Sequence, residues 1–228
     1  MTVRPAADLL PDRAVPLPAP DGVRLWSLRL LPRADDAGRA LLDDADRALA
    51  RALPHHLAVQ LLARRALLRQ VIASVAGCPV EEVGPLRGPG PRSVGLADGR
   101  SWFASTSSAL DHGLIALADR AVGVDLEPVP GPPDALLVSS QLLHPAEHAW
   151  VLADPGGDGR RFLRAWVRKE AVVKCTGEGM SRELRSFAVD AARRDAPVLD
   201  AAGHPLGLRT VGVRLPGHVA ALALADPA

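Results

Sequence analysis

The sequence predicts an α+β fold in which helices and strands run in two series of similar order. Three observations carry that reading. A long helix-period stretch between Pro54 and Gly77 stands against shorter strand-like runs on either side. Strand and helix do not alternate in the manner of a doubly wound parallel sheet. The order of elements in the first half returns roughly in the second, without a residue-level repeat. At 228 residues the chain has room for one large domain or two of about 100 residues each.

Met1 to Pro20 holds five prolines and reads as an irregular tail. Gly22 to Leu31 shows partial alternation and reads as a strand. Asp35 to Ala52, rich in Ala, Leu, Asp and Arg, reads as a helix. Pro54 opens a second helix whose apolar face is Leu57, Leu61, Ala66, Leu68, Ile72 and Val75, with Gly77 as its stop. Gly84 to Gly99 is loop on its Gly and Pro content. Trp102-Phe103-Ala104 starts a short strand running into Ser105-Thr106-Ser107-Ser108. Gly113 to Ala118 and Ala121 to Glu127 then flank Asp119-Arg120, a spacing that predicts a β-hairpin. Pro128 to Pro133 is linker-like. Gln141 to Ala153 and Arg160 to Cys175 read as helices, and Ser186 to Val189, Leu208 to Leu215 and His218 to Ala225 as strands.

Composition narrows the function classes. Apolar residues make up 48% of the chain, enough for a sizeable core, and the net charge of +1 gives no global bias toward nucleic acid or membrane. Any anionic ligand must be held by local charge. Two cysteines, Cys78 and Cys175, are too few for a disulfide framework and lack metal-ligand spacing, as expected of reduced thiols. The N-terminus lacks a signal-peptide pattern, and no apolar run is long enough to span a bilayer. These features predict a cytoplasmic protein. Only two of the 27 basic residues are lysines, Lys169 and Lys174. Their survival in an otherwise Arg-only chain suggests a site that wants a compact ammonium.

Two segments carry chemistry. In Ala121 to Glu127, Asp125 and Glu127 point to one face of a strand and Val124 and Leu126 to the other. Two carboxylates so placed can converge on one hard cation, although a solvated polar face is an equally simple reading of a lone D-x-E. In the helix from Arg160, the residues Phe162, Trp166, Glu170 and Lys174 form one stripe at four-residue spacing. Trp166 draws that stripe toward the core, which makes Glu170 and Lys174 more than a surface salt bridge.

VGVDLE (122–127), about 40 residues, then WVRKEAVVK (166–174) resembles the signature of the 4′-phosphopantetheinyl transferases, G-[IV]-D-x-E followed by W-x-x-K-E-A-x-x-K. Trp166 and the Ala after Glu170 are similar to the Sfp-type W/KEA subgroup. HPAEHAW (144–150), TGEGM (176–180) and the final GHVAALALA resemble flanking segments of the family, so the likeness covers roughly 85–228 well and 21–84 loosely.

The resemblance implies a Mg²⁺-dependent transfer of 4′-phosphopantetheine from coenzyme A to a serine of an acyl or peptidyl carrier protein, leaving adenosine 3′,5′-bisphosphate. It implies a monomer folded as a pseudo-dimer: a tail (1–20), a nucleotide-side half (21–120) and a half with the catalytic motifs (121–228), the active site lying between the halves. Asp125, Glu127 and Glu170 would hold Mg²⁺, with Mn²⁺ as a possible substitute. Glu170 would take the serine proton and Lys174 would contact the attacked phosphate. The coenzyme A contacts implied are Asp125, Lys174, Ser105, Thr106, Arg92, Arg65, Arg69 and Lys169. Arg65 and Arg69, being on a helix, read more readily as plain surface residues, and Lys169 equally as a solvated lysine. Where the family usually has Ser-His-Ser, this chain has Ser105-Thr106-Ser107, so an uncharged donor replaces a cationic one. A non-catalytic coenzyme A-binding paralogue and a Mg²⁺-dependent phosphohydrolase are the alternatives.

Overall fold

The computed structural model describes residues 13–30, 42–86, 91–154 and 157–227. Ten strands form two five-stranded antiparallel sheets. The first has the order β1-β2-β5-β4-β3, with β1 (Ala14–Leu17), β2 (Val23–Arg29), β3 (Ser93–Gly95), β4 (Ser101–Ala109) and β5 (His112–Ala118). The second has the order β6-β10-β9-β8-β7, with β6 (Val122–Pro128), β7 (Phe187–Val189), β8 (Asp195–Asp200), β9 (Pro205–Leu215) and β10 (His218–Ala225). Among the described residues five helices accompany them: α1 (Asp44–Arg51), α2 (His55–Ala76), α3 (Ala135–Leu142), α4 (Pro145–Leu152) and α5 (Arg160–Thr176). The mixed α/β architecture agrees with the sequence expectation. No helix among the described residues is long and apolar enough to cross a membrane.

Three apolar cores hold these layers. Leu68, Val71, Ile72 and Ala73 of α2 pack on Leu28, Ala104, Ile115 and Leu117 of the first sheet. Ala171, Val172 and Cys175 of α5 pack on Ala221 and Ala223 of the second. Leu114 and Ala116 of β5, Val122, Val124 and Leu126 of β6, and Leu222 and Leu224 of β10 fill the space between the sheets. Val124 and Leu126 thus enter a core and leave Asp125 on the opposite face of β6, as alternation requires.

Several local expectations are corrected. The residues read as an irregular tail include β1, which pairs with β2 in the register Ala14↔Leu28. Pro16 is tolerated because β1 is an edge strand, where a missing N–H breaks no ladder. Residues 1–12 lie outside the described residues, as does much of the start of the expected 35–52 helix. The expected hairpin of β5 with β6 does not form: β5 pairs with β4 and β2, and β6 pairs with β10. Both strands are buried almost throughout, so each needs its own sheet, and Asp119-Arg120 carries the chain from one sheet to the other. The loop read over Gly84 to Gly99 contains β3, and β8 had no counterpart in the sequence reading. On α2, Leu57 is exposed and Arg65 is buried among the apolar positions.

Candidate active site

The site begins with a glycine. A Cβ on Gly123 of β6 would lie 1.9 Å from the Ala171 carbonyl oxygen and 2.6 Å from the Cys175 nitrogen. Only a residue without a side chain lets α5 approach β6 this closely. That approach sets the α5 stripe beside the polar face of β6. Phe162 and Trp166 stack with ring centroids 6.1 Å apart, Phe162 being buried and Trp166 half-buried, so the aromatic end of the stripe anchors the helix. Glu170 and Lys174, two turns along, are delivered to Asp125.

Lys174 Nζ donates to Asp125 Oδ1 at 2.6 Å and to Ser107 Oγ at 3.1 Å, and Ser107 Oγ donates to the same Asp125 oxygen at 2.7 Å. Asp125 is buried, yet its second oxygen, Oδ2, has no hydrogen-bond partner among the described residues. A buried carboxylate oxygen left bare is costly, so it is aimed at something not present in the chain itself. Glu127 is half-buried; burial pushes its carboxyl up, Asp125 adds to this, and a hydrogen bond from Trp166 opposes it. Glu170 is also half-buried, and burial followed by Asp125 pushes its carboxyl up against the pull of Lys174. The three carboxylates therefore repel one another.

Repelling oxygen donors with one bare buried lone pair fit a hard divalent cation. Among the described residues no three His, Cys, Asp or Glu side chains are grouped closely enough to hold a metal ion by themselves. A hard ion held at the bare Asp125 oxygen would have to draw most of its shell from substrate phosphate and water.

Asp125, Glu127 and Lys174, but not Glu170, line a cleft of about 880 Å³ between the first sheet with α1 and α2 and the second sheet with α5. Its lining includes Asp125, Glu127 and Lys174 on one side and Ser105, Thr106, Ser107, Arg64, Arg65 and Arg92 on the other. Ser105 Oγ accepts from the Val124 amide at 3.1 Å, which ties β4 to β6 across the floor. Arg64 and Arg65 come from α2, and Arg92 from the segment before β3, where its carbonyl accepts from the Ala104 amide. The cleft is acidic at one end and basic at the other, with a volume suited to a nucleotide-sized ligand.

Residues 121–223 match the model of the 4′-phosphopantetheinyl transferase superfamily. No curated protein matches the chain. The matched stretch carries Asp125, Glu127, Glu170 and Lys174, whereas the arginine wall and β4 lie outside it.

Two expected contacts do not reach the cleft. Lys169 is fully buried, and its ammonium meets Glu147 Oε2 at 3.0 Å and the carbonyls of Leu184 and Phe187 at 2.7 and 2.6 Å. It is therefore neither solvated nor available to a phosphate. Lys169 and Lys174 are five residues apart, about 140° around a helix, so they could not have shared a face. Arg69 pairs with Asp43 at 3.0 Å and donates to the Val83 carbonyl, tying α2 to the residue that caps α1. Arg64 and Ser107 went unnoticed in the sequence. The resemblance singles out Arg65 and Arg69 and not their neighbour Arg64, and Ser107 stands in the Ser105-Thr106-Ser107 segment with no role of its own until β4 meets β6.

Proposed function

We propose that this protein is an Sfp-type 4′-phosphopantetheinyl transferase. It would use Mg²⁺ to move 4′-phosphopantetheine from coenzyme A to a serine of an acyl or peptidyl carrier protein. The observation that carries the reading is the meeting of Asp125 and Glu127 from β6 with Glu170 and Lys174 from α5, inside the segment that matches the superfamily model and beside an arginine-lined cleft. We also propose that the two sheets, each with its long helix, are the two halves of a pseudo-dimer (21–120 and 121–228) acting as a monomer in the cytoplasm. In both sheets the first of four strands lies beside the last, then the third, then the second, as β2-β5-β4-β3 and β6-β10-β9-β8.

In this reading the basic end of the cleft holds the nucleotide phosphates through Arg65 and Arg92, with Ser105 and Thr106 on the floor. Asp125, Glu127 and Glu170 would hold Mg²⁺. When bound, the ion supplies charge neutralisation for the leaving adenosine 3′,5′-bisphosphate. Glu170 accepts the proton of the carrier serine, as a general base within reach of the hydroxyl. The serine oxygen forms a bond to the phosphorus that bears pantetheine, and the bond from that phosphorus to the bridging diphosphate oxygen breaks. Lys174 follows the attacked phosphate, leaving Ser107 to hold Asp125. Incubating the full chain with coenzyme A, Mg²⁺ and a panel of apo-carrier proteins tests this. The expected result is a mass gain of about 340 Da on a carrier, the mass of the transferred group, and none when Mg²⁺ is chelated. A panel of carriers left wholly unmodified would overturn it.

A further inference from the structure

Arg64 differs from the other arginines of its helix in lacking a counter-ion. Arg65 has Asp46 at 3.4 Å and Arg69 has Asp43 at 3.0 Å. Arg64 Nη1 donates only to the neutral hydroxyl of Ser108, its Nε has no partner among the described residues, and no carboxylate among them pairs with it. Burial, then Arg65 and Arg92, push its pKa down to about 10 against the weaker pull of Asp125, which lies too far off to form an ion pair, so it is still a cation at neutral pH. A half-buried guanidinium crowded by two like charges is unfavourable unless an anion completes it. The Arg64 side chain lines the cleft, so such an anion can reach it.

Its resting partner locates the contact. Thr106 and Ser108 lie two apart on β4 and so share the face turned toward α2, while Ser105 and Ser107 face β6 and bond Val124 and Asp125. Arg64 therefore hangs over the stretch of β4 where Thr106 offers a hydroxyl and no charge. We infer that Arg64 binds a phosphate of the coenzyme A substrate, exchanging its hydrogen bond to Ser108 for a charge-assisted one and supplying the positive charge that β4 lacks at Thr106. The inference rests on the transferase reading. It assigns a ligand contact to a residue outside both signature segments.

The test is calorimetric titration of coenzyme A and of 3′-dephospho-coenzyme A into the full chain, with melting curves for each variant. Arg64→Gln should weaken coenzyme A binding at least about tenfold while the melting temperature moves little. Arg64→Lys should fall between Arg64→Gln and the wild type, since it keeps charge without the fork. An equal loss with both ligands makes the diphosphate the contacted group. A loss seen only with coenzyme A makes it the 3′-phosphate, and either result upholds the inference. Ser108→Asp gives Arg64 an internal carboxylate without touching α2, and should also weaken binding about tenfold. Unchanged affinity in Arg64→Gln, or in Ser108→Asp should Arg64→Gln not fold, overturns the inference and makes Arg64 a tether of α2 to β4. Carrier modification by the same variants would leave the transferase reading standing in that case. Wild-type protein that neither binds coenzyme A nor modifies a carrier would sink the reading itself.

Discussion

Lys174 and Asp125 meet at 2.6 Å although 49 positions separate them, and Ser107 bonds to both. The contact joins α5, β6 and β4, hence both sheets, at the mouth of one cleft. It also occupies only one oxygen of Asp125, and leaves the other free for a cation. Asp125→Asn keeps the shape and removes the charge, so Lys174 loses its counter-ion and the cation one of three carboxylates. We expect kcat/KM for carrier modification to fall at least about 100-fold, about 2.7 kcal/mol, with the far-UV circular dichroism unchanged. Turnover at the wild-type rate in a folded Asp125→Asn protein would remove Asp125 from the metal site.

Lys174→Arg tests the fit of the ammonium. Nζ sits between Asp125 Oδ1 and Ser107 Oγ, a gap that a compact head fills and a planar fork does not. The expected loss in kcat/KM is at least tenfold, roughly 1.4 kcal/mol of transition-state stabilisation. Wild-type kinetics would reduce Lys174 to a structural partner of Asp125.

Gly123→Ala tests the approach that builds the site. The new Cβ would meet backbone atoms of α5 at 1.9 and 2.6 Å, and backbone cannot swing aside as a flexible side chain can. We expect at least about 3 kcal/mol of destabilisation in denaturant melts, or failure to accumulate as folded protein. A variant as stable as the wild type would mean that α5 can slide away from β6 without penalty.

Which of these relationships was legible beforehand follows from the range of the physics. Asp125 and Glu127 lie on one face of one strand, and Glu170 and Lys174 on one helical row, so period 2 and period 3.6 reveal them, whereas the role of Gly123 against α5 shows in neither period. The helices starting at His55 and Arg160 are long and carry clear stops at Gly77 and Gly177, both in the left-handed region. Pairing between distant strands leaves no such trace. A short connection between two apolar runs suits a hairpin as well as a change of sheet, and β6 took β10, nearly a hundred residues away, as its partner. Arg64 and Lys169 were obscure for the same reason. Their roles depend on Ser108 and Glu147, each far away in the chain.

The buried Lys169–Glu147 pair supplies a stability test. Glu147 also accepts from the Val189 and His144 amides, so the pair fixes α4, α5 and β7 together. Burial pushes the Glu147 carboxyl up and the Lys169 ammonium down, each toward its neutral form despite the pairing. For Glu147 that is a contribution present below its ordinary value of 4.5 and lost as pH rises through the raised one. For Lys169 it is present above 10.5 and lost as pH falls through the lowered one. Lys169→Met and Glu147→Gln alone should each cost about 3–5 kcal/mol by stranding the partner. The double variant should cost clearly less than the sum, and additive losses in denaturant melts would show that the two groups are not coupled.

Thr106→His places a titratable donor on the face of β4 that Arg64 overhangs. Thr106 is half-buried and lines the cleft, so an imidazole there can meet a bound phosphate. Below about pH 6.5 the ring is cationic, and its charge-assisted hydrogen bond is stronger than the neutral one Thr can make. A remote phosphate is held equally in ground and transition states, so the gain belongs in KM for coenzyme A with kcat little changed. It should grow as pH falls from about 8 to 6, tracking protonation of the ring. The gain should also be larger in an Arg64→Gln background than in the wild type, because two cations serving one phosphate are partly redundant and contacts that share a partner do not add. KM values for coenzyme A at pH 6 and 8 in the four combinations of the two positions decide it. If Thr106→His leaves KM unchanged at pH 6 in both backgrounds, this stretch of β4 touches no phosphate, and the likeness of Ser105-Thr106-Ser107 to Ser-His-Ser has no functional content here.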